Sequence, residues 1–119
     1  LKSAFGRKPT PSVSAPIARE NELAIGSAKT FTYPEGSTPR LLIRTGAASF
    51  VAYDQLCTHL LCPVVPAVDL GRLHCPCHNG WFDLATGRPL AGPQRALPRV
   101  LLEVRDGTVY ATGVEDATT

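Results

Sequence analysis

The pattern of hydrophobic and polar positions is that of short β-strands from Glu22 onward. Residues 23–33 form the first β-like run, and two further runs, 40–45 and 49–54, flank Gly46 in a hairpin-like arrangement. These runs are rich in β-branched and aromatic residues and are bounded by turn residues, which is the signal of a strand. No segment shows convincing helical periodicity beyond one or two turns.

The second half of the chain continues in the same way. Strands are expected at 72–75, from Phe82-Asp83 to a turn at Thr86-Gly87, at 99–105 and at 108–112. Asp106-Gly107 joins the last two strands and suits a two-residue type I′ turn. Short strands at this spacing predict an antiparallel all-β domain.

Both ends and one internal stretch lack this pattern. Residues 1–21 are rich in Pro, Ser and basic residues, and they are expected to form an extended tether or an arm lying on the domain. Residues 22–114 are the expected domain body, and 115–119 are a C-terminal tail. The proline-containing stretch 89–98 is expected to be a surface loop.

Length and charge place the chain among small soluble domains. Its 119 residues suffice for one modest core. A net charge of +2 without a basic stripe argues against nucleic-acid binding. No run approaches the roughly eighteen apolar residues of a membrane span. Association with a membrane is therefore expected only through a missing anchor or a partner subunit.

Chemically versatile residues are concentrated in one stretch. All four cysteines and all three histidines lie between Cys57 and His78, in the segments CTHLLC and CPCHNGWF. Thiolate and imidazole are the ligands of zinc and of iron–sulfur clusters. Their concentration in two short loops predicts a metal site.

Each loop offers one thiolate, one imidazole and one additional cysteine. The candidate ligands are Cys57, His59, Cys75 and His78, and the additional cysteines are Cys62 and Cys77. Two thiolates with two imidazoles suit a [2Fe–2S] cluster that has cysteine on one iron and histidine on the other. The additional cysteines could then bridge the loops as a disulfide. Closing about fifteen residues in this way would stabilise the fold by roughly 3 kcal/mol.

Other interpretations of the same residues stay open. A structural zinc site, and with it an interaction module without redox function, uses similar ligands. A four-cysteine [2Fe–2S] cluster would leave His59 and His78 unused. A thiol nucleophile with a histidine base, drawn from Cys75 and His78, would leave the other loop unexplained. The third histidine, His74, alternates with Leu73 in the expected strand and is expected to be a surface residue rather than a ligand.

The two loops resemble those of the Rieske iron–sulfur proteins, in the branch that contains a disulfide. The matching segments are Cys57-Thr58-His59, Cys62-Pro63, Cys75-Pro76-Cys77-His78 and Asp83. The resemblance implies a [2Fe–2S] cluster at the four candidate ligands and a disulfide between Cys62 and Cys77. It also implies an all-β, antiparallel Rieske-type fold of stacked small sheets with two cluster-binding loops. The disulfide, if it forms, favours an oxidising compartment such as the periplasm.

The resemblance also assigns surroundings to the cluster. The histidine-bound iron would lie toward solvent, where the second nitrogens of the two histidines meet a quinol or a partner's cofactor. Leu60 and Leu61 would form an apolar docking rim, or else pack in the core. Gly92-Pro93 is the candidate for a proline loop that covers the cluster from a third side.

Several of these positions depart from the pattern of quinol-oxidising members. Those proteins have Gly, Gly-Ser and Tyr where this chain has Leu61, Asn79-Gly80 and Phe82. Asn79 suits a left-handed backbone conformation if the turn requires one. Gly80 and Phe82 lack the hydroxyls that hydrogen-bond to sulfur in high-potential members. These departures argue against a high reduction potential and a standard ubiquinol-oxidising role.

A second resemblance, to the small Rieske subunit of arsenite oxidase, lies in strand residues. It rests on the segments FTYP at 31–34, FVAY at 50–53 and LPRVLL at 97–102. A Rieske ferredoxin of an oxygenase is disfavoured, because such ferredoxins usually lack the extra cysteine pair.

The two resemblances imply one-electron transfer as a subunit or soluble head domain of a respiratory or photosynthetic complex. The first placement is the quinol:cytochrome c oxidoreductase type, and the second is an arsenite-oxidase-like molybdoenzyme. The expected partners are a redox protein such as a c-type cytochrome, and a quinol or a molybdoenzyme large subunit. The expected location is the periplasm or the outer, positive side of an energy-transducing membrane. The chain is not expected to be a complete enzyme alone.

Overall fold

Two antiparallel β-sheets make up the fold. The computed structural model describes residues 14–56, 62–77, 79–91 and 95–115. They contain the strands β1 (Ala15–Arg19), β2 (Ala28–Thr32), β3 (Pro39–Gly46), β4 (Ser49–Asp54), β5 (Val65–Ala67), β6 (Arg72–Cys75), β7 (Gly80–Asp83), β8 (Pro89–Ala91), β9 (Arg99–Arg105) and β10 (Thr108–Glu115). Every pairing between these strands is antiparallel, so the predicted all-β antiparallel class is confirmed.

The smaller sheet is an insertion in the larger one. The six-stranded sheet has the order β1-β10-β9-β4-β3-β2, and the four-stranded sheet has the order β5-β6-β7-β8. The chain leaves the larger sheet after β4 and returns in the neighbouring strand β9. These strands pair at Tyr53 and Arg99, and the Asp54 amide donates to the Pro98 carbonyl oxygen (3.0 Å). The two ends of the insertion are therefore held together at one place.

Two hairpins predicted from the sequence are present. β3 and β4 pair around the turn after Gly46, and β9 and β10 pair around Asp106-Gly107. The φ angles are 50° at Asp106 and 78° at Gly107, and positive φ at both central residues is the type I′ arrangement. The strands expected at 72–75 and from Phe82 are also confirmed, as β6 and the second half of β7.

The N-terminal segment contains a strand that the sequence analysis did not predict. β1 lies within 1–21, the expected tether or arm, and pairs with β10 at the edge of the larger sheet. Its Pro16 is tolerated there because an edge strand leaves one side without ladder hydrogen bonds. Residues 1–13 lie outside the described residues.

Other strand boundaries differ as well. A 3₁₀ turn at Glu20–Glu22 precedes the expected run 23–33. β2 is shorter than this run, because a turn at Gly26 (φ 91°) delays its start to Ala28. β8 lies within 89–98, the expected surface loop, and is the edge strand of the smaller sheet. Three residues that include a proline carry too little periodicity to reveal such a strand.

β3 is buried on both faces and separates two hydrophobic clusters. Leu41 and Ile43 face the cluster shared with the smaller sheet, whereas Leu42 faces the other cluster. On β4, Tyr53 faces the cluster shared with the smaller sheet, and Ala52 faces the other cluster. Successive side chains of a strand point to opposite faces, so a strand buried on both sides needs a continuous hydrophobic run.

Tyr53 ties the two sheets together. Its ring is fully buried, and its hydroxyl donates a hydrogen bond to the carbonyl oxygen of Leu84 (2.7 Å), just beyond β7. Burial disfavours the phenolate and raises the pKa of Tyr53 to about 12. The smaller sheet is therefore attached to the larger one by a polar contact as well as by a shared core.

Candidate metal centre

The hairpin of β6 and β7 carries the second cysteine-containing loop. Cys75 ends β6 and pairs with Gly80 at the start of β7, so residues 76–79 form the hairpin loop. Pro76 fixes φ at the start of this loop. Asn79 at its end has a φ of 56°. The turn thus requires the left-handed conformation, which asparagine adopts more readily than most residues.

The base of the first loop is defined by contacts on both sides. Leu56, two residues after β4, forms an isolated antiparallel bridge with Pro63. The Val64 amide donates to the carbonyl oxygen of Gln55 (2.7 Å). Residues 57–61 lie outside the described residues, but the chain enters and leaves this segment at adjacent points.

A disulfide between Cys62 and Cys77 joins the two loops, as the resemblance implied. The two Cα atoms are 6.3 Å apart. Because oxidised cysteines offer no thiolate, the disulfide excludes a four-cysteine cluster. The candidate cysteine ligands that remain are Cys57 and Cys75, one from each loop.

Of the four candidate ligands, Cys75 lies among the described residues, whereas Cys57, His59 and His78 lie outside them. The Cys75 side chain is 0% exposed and belongs to the hydrophobic cluster between the two sheets. The donor set that remains beside the disulfide is two thiolates and two imidazoles. This set fits a [2Fe–2S] cluster with mixed ligation.

The predicted surroundings of the cluster are described in part. Leu60, Leu61, Gly92 and Pro93 lie outside the described residues. Gly80 is buried opposite Cys75, and Phe82 is fully buried in the same hydrophobic cluster as Cys75. Neither Gly80 nor Phe82 can supply an O–H donor to the Cys75 sulfur.

The sequence analysis missed a set of contacts on the outer face of this hairpin. His74, expected at the surface, is half-buried, and its ring stacks on Trp81 with centroids 4.1 Å apart and planes inclined by 22°. Its Nε2 lies 3.0 Å from Oδ1 of Asn79, and the Arg72 guanidinium lies 5.7 Å from the Trp81 ring centroid. These contacts follow from the register of β6 and β7, because a hairpin loop at 76–79 places His74 opposite Trp81.

Asp83, part of the motif shared with the family, has a structural role in the following turn. Its carboxylate accepts hydrogen bonds from the Thr86 amide (3.0 Å) and hydroxyl (2.8 Å). Its carbonyl oxygen accepts one from the Gly87 amide (2.8 Å). These bonds close the turn that leads into β8.

The fold and the donor set together define a class of protein. The two loops of this antiparallel β-domain are joined by a disulfide, and the cysteine and histidine left in each loop offer a mixed thiolate and imidazole donor set for a metal. The chain belongs to the Rieske [2Fe–2S] domain family, whose model matches residues 14–106. Its cofactor is therefore a [2Fe–2S] cluster rather than zinc, and the domain is an electron-transfer domain.

Relatives of this chain belong to several kinds of larger protein. A carotenoid phi-ring synthase of Chlorobaculum tepidum is 51% identical over 73 residues, covering 60% of this chain and 11% of the synthase. A subunit of iodate reductase of Denitromonas iodatirespirans is 32% identical over 113 residues, covering 83% of this chain and 61% of the subunit. The Rieske subunit of the cytochrome bc1 complex of Corynebacterium efficiens is 39% identical over 83 residues, covering 62% of this chain and 20% of that subunit. This chain thus spans less than two thirds of each relative.

Solved structures agree in fold. The cyanobacterial plasma membrane Rieske protein of Synechocystis superposes with a TM-score of 0.70 at 24% identity, covering 83% of this chain and 99% of that one. The ferredoxin of carbazole 1,9a-dioxygenase from Nocardioides aromaticivorans superposes with a TM-score of 0.74 at 24% identity, covering 86% of this chain and 99% of the ferredoxin. Within the part of the chain that the structure describes, no helix is long and apolar enough to cross a membrane.

Proposed function

We propose that the cluster is held by Cys57 and Cys75 on one iron and by His59 and His78 on the other. A cluster bound in this way carries one electron at a time. The disulfide is the observation that supports this proposal most strongly. It takes Cys62 and Cys77 out of the donor set and fastens together the two loops that contain all four ligands.

The surrounding residues give the site its two sides. Cys75 is sealed from water by the hydrophobic cluster between the sheets, so the thiolate side of the site lies in a low-dielectric environment. His78 lies outside the described residues, but its neighbours in the hairpin loop, Cys77 and Asn79, are both exposed. Because these neighbours of His78 are exposed, we infer that a partner exchanges electrons at the imidazole side of the site.

The ligand set is tested by metal analysis and EPR spectroscopy. The purified wild-type protein should contain about two irons and two labile sulfides per chain and show a Rieske-type signal after reduction. His59→Ala and His78→Ala should each abolish that signal, whereas His74→Ala should retain it. A colourless protein with stoichiometric zinc after anaerobic preparation would contradict the proposal.

For the complex in which the domain acts, the small electron-transfer subunit of a larger oxidoreductase is our preferred placement. The alignment with the iodate reductase subunit extends over 83% of this chain, compared with 62% for the bc1 subunit of C. efficiens. The missing hydroxyls at Gly80 and Phe82 favour the same placement, because they argue against the potential that quinol oxidation at a bc1 site requires. In this role the partner is a larger catalytic subunit, and a c-type cytochrome is a suitable second redox partner.

The alternative is the head domain of a quinol:cytochrome c oxidoreductase, which the sequence analysis placed first and which the matches to bc1 Rieske subunits favour. The genes beside this one discriminate between the two. A neighbouring gene for a large oxidoreductase subunit would support our preferred placement, and a neighbouring cytochrome b gene would contradict it.

The disulfide also supports a location for the domain. Structural disulfides persist in oxidising compartments, so we place the domain in the periplasm or on the outer, positive side of an energy-transducing membrane. Mass spectrometry of protein from intact cells, alkylated before lysis, tests this. Recovery of Cys62 and Cys77 as free thiols would contradict the location.

A further inference from the structure

We propose that His74 is a positioning residue for the second cluster-binding loop. It lies one residue before Cys75, on the opposite face of β6 from that ligand. Trp81 is its cross-strand partner and stacks on its ring. The stacked ring directs Nε2 toward the Asn79 side chain, 3.0 Å away, at the far end of the loop.

The chemistry of the two side chains fixes the direction of this hydrogen bond. An amide oxygen can only accept, so Nε2–H of His74 donates to Oδ1 of Asn79. The bond therefore connects His74 in β6, two positions before the loop begins, to the last residue of the loop. Together with the disulfide at Cys77, it gives the loop two independent ties.

The backbone of Asn79 explains why such a tie is useful. Its φ of 56° is unfavourable for every residue with a side chain, although less so for asparagine than for most. A hydrogen bond to its side chain helps to hold this conformation. Stacking keeps the His74 ring in place, and the Arg72 guanidinium further restricts the Trp81 ring.

The inference rests on the proposed ligand set. The connected residues adjoin its two members in this loop, because His74 precedes Cys75 and Asn79 follows His78. Loosening the contact should allow the loop to open more often, which exposes the ligands to competitors. It should also change the environment of the histidine ligand and hence the spectroscopic signature of the cluster.

The test separates the hydrogen bond from the stacking. His74→Phe keeps a stacked ring without the donor, and His74→Gln keeps an N–H donor without the ring. In His74→Phe, the rate of cluster loss to a chelator should rise about two- to tenfold, the range expected for one net hydrogen bond. In His74→Gln it should stay within about twofold of wild type.

A second background makes the test specific. In Asn79→Gly the left-handed conformation needs no help, so adding His74→Phe there should change the rate by less than about twofold. The EPR spectrum of the reduced cluster should shift in His74→Phe and return toward wild type in His74→Gln. In cluster-free protein, a thiol should reduce the disulfide faster in His74→Phe than in His74→Gln. Asp106→Gly, in the remote β9–β10 turn, is the matched control and should alter none of these readouts.

The results can overturn the inference without touching the proposed function. Equal acceleration by His74→Phe in both backgrounds would assign the effect to ring packing alone. An unchanged rate in His74→Phe would remove the role altogether. Failure of the wild-type protein to hold any iron would instead contradict the ligand set.

Discussion

The two sheets differ in the interactions that stabilise them. In the larger sheet, β3 and β10 are eight residues long, and β3 is packed between two hydrophobic clusters. In the smaller sheet, strands are three or four residues long, and the outer face carries the half-buried His74 and Trp81. Strands this short have few ladder hydrogen bonds, so the smaller sheet depends on individual side-chain contacts with its surroundings.

Beside the shared hydrophobic core, two of these contacts can be removed one at a time. The disulfide joins the loops at one end of the smaller sheet, and the Tyr53 hydroxyl binds Leu84 near the other. Gly87 lies against the Tyr53 ring. If the smaller sheet depends on these contacts, changing them should weaken cluster retention while the larger sheet keeps its strand pairing.

Removal of the disulfide should have the largest effect. Cys62→Ser with Cys77→Ser leaves the four proposed ligands intact and releases a closed segment with a sequence separation of 15. The free energy of unfolding should fall by about 3 kcal/mol, and cluster loss to a chelator should accelerate. Chemical denaturation and the decay of visible absorbance measure the two effects. If the doubly substituted protein keeps its cluster as long as wild type does, the disulfide is not needed to hold the two loops in place.

Gly87→Ala should be the next most damaging change. A Cβ atom at Gly87 would lie 2.8 Å from Cε1 of Tyr53, at a φ of 76° that L-residues rarely adopt. Overpacking and backbone strain together should cost about 2–3 kcal/mol. Gly71→Ala is the control, because Gly71 has a φ of 68° but nothing within 4 Å of its added Cβ, and it should cost about 1 kcal/mol. Equal losses of stability in the two variants would mean that the contact with Tyr53 is unimportant.

Tyr53→Phe removes the polar contact between the sheets but keeps the ring. Near neutral pH the loss of the hydrogen bond to Leu84 should lower the free energy of unfolding by about 1–2 kcal/mol. The pKa of Tyr53 is raised from 10.0 to about 12 by burial, so the unfolded chain loses this proton at lower pH than the folded protein.

The sign of the pH effect follows from that order of titration. Stability contributed by protonated Tyr53 is complete below pH 10 and is lost as pH rises from about 10 to 12. Wild-type protein should lose about 2–3 kcal/mol more than Tyr53→Phe across this interval. Denaturant titrations at pH 9 and at pH 11–12 measure the difference. Parallel pH profiles for the two proteins would contradict the assignment.

Local signals made the larger sheet easier to predict. The β9–β10 turn is encoded by Asp106-Gly107, two adjacent residues that both accept positive φ. Edge strands such as β1 and β8 were missed because Pro16 and Pro89 interrupt their patterns and their partners are distant in sequence. Their pairing depends on tertiary contacts that no short window contains.

In the candidate site, too, some features could be predicted from local sequence signals and others depend on tertiary contacts. The donor set followed from residue type and spacing, and the cross-loop disulfide followed from the resemblance to a family. The contact between His74 and Asn79 could not be predicted without the register of β6 and β7. The expected return strand began at Phe82, which left Trp81 in the loop and hid its pairing with His74.

The smallest expected effect concerns the reduction potential rather than stability. Phe82 is fully buried in the hydrophobic cluster that contains Cys75, and it lacks the hydroxyl of high-potential relatives. Phe82→Tyr keeps the ring and adds one O–H donor on the thiolate side of the site. A donor to sulfur favours the reduced, more negative cluster, so the potential should rise by several tens of millivolts.

Protein-film voltammetry at one pH measures this shift, and Phe31→Tyr is the matched control. Phe31 is buried in the other hydrophobic cluster, so its added hydroxyl cannot reach the site and should leave the potential unchanged.

Gly80→Ser should also raise the potential, but less cleanly, because a side chain at this buried position must find space. Wild type should lie below the upper end of the Rieske range, about +300 mV. A wild-type value at that limit, or no rise in Phe82→Tyr, would mean that groups other than these hydroxyls set the potential, and the preference for a subunit outside the bc1 complex would lose its chemical support.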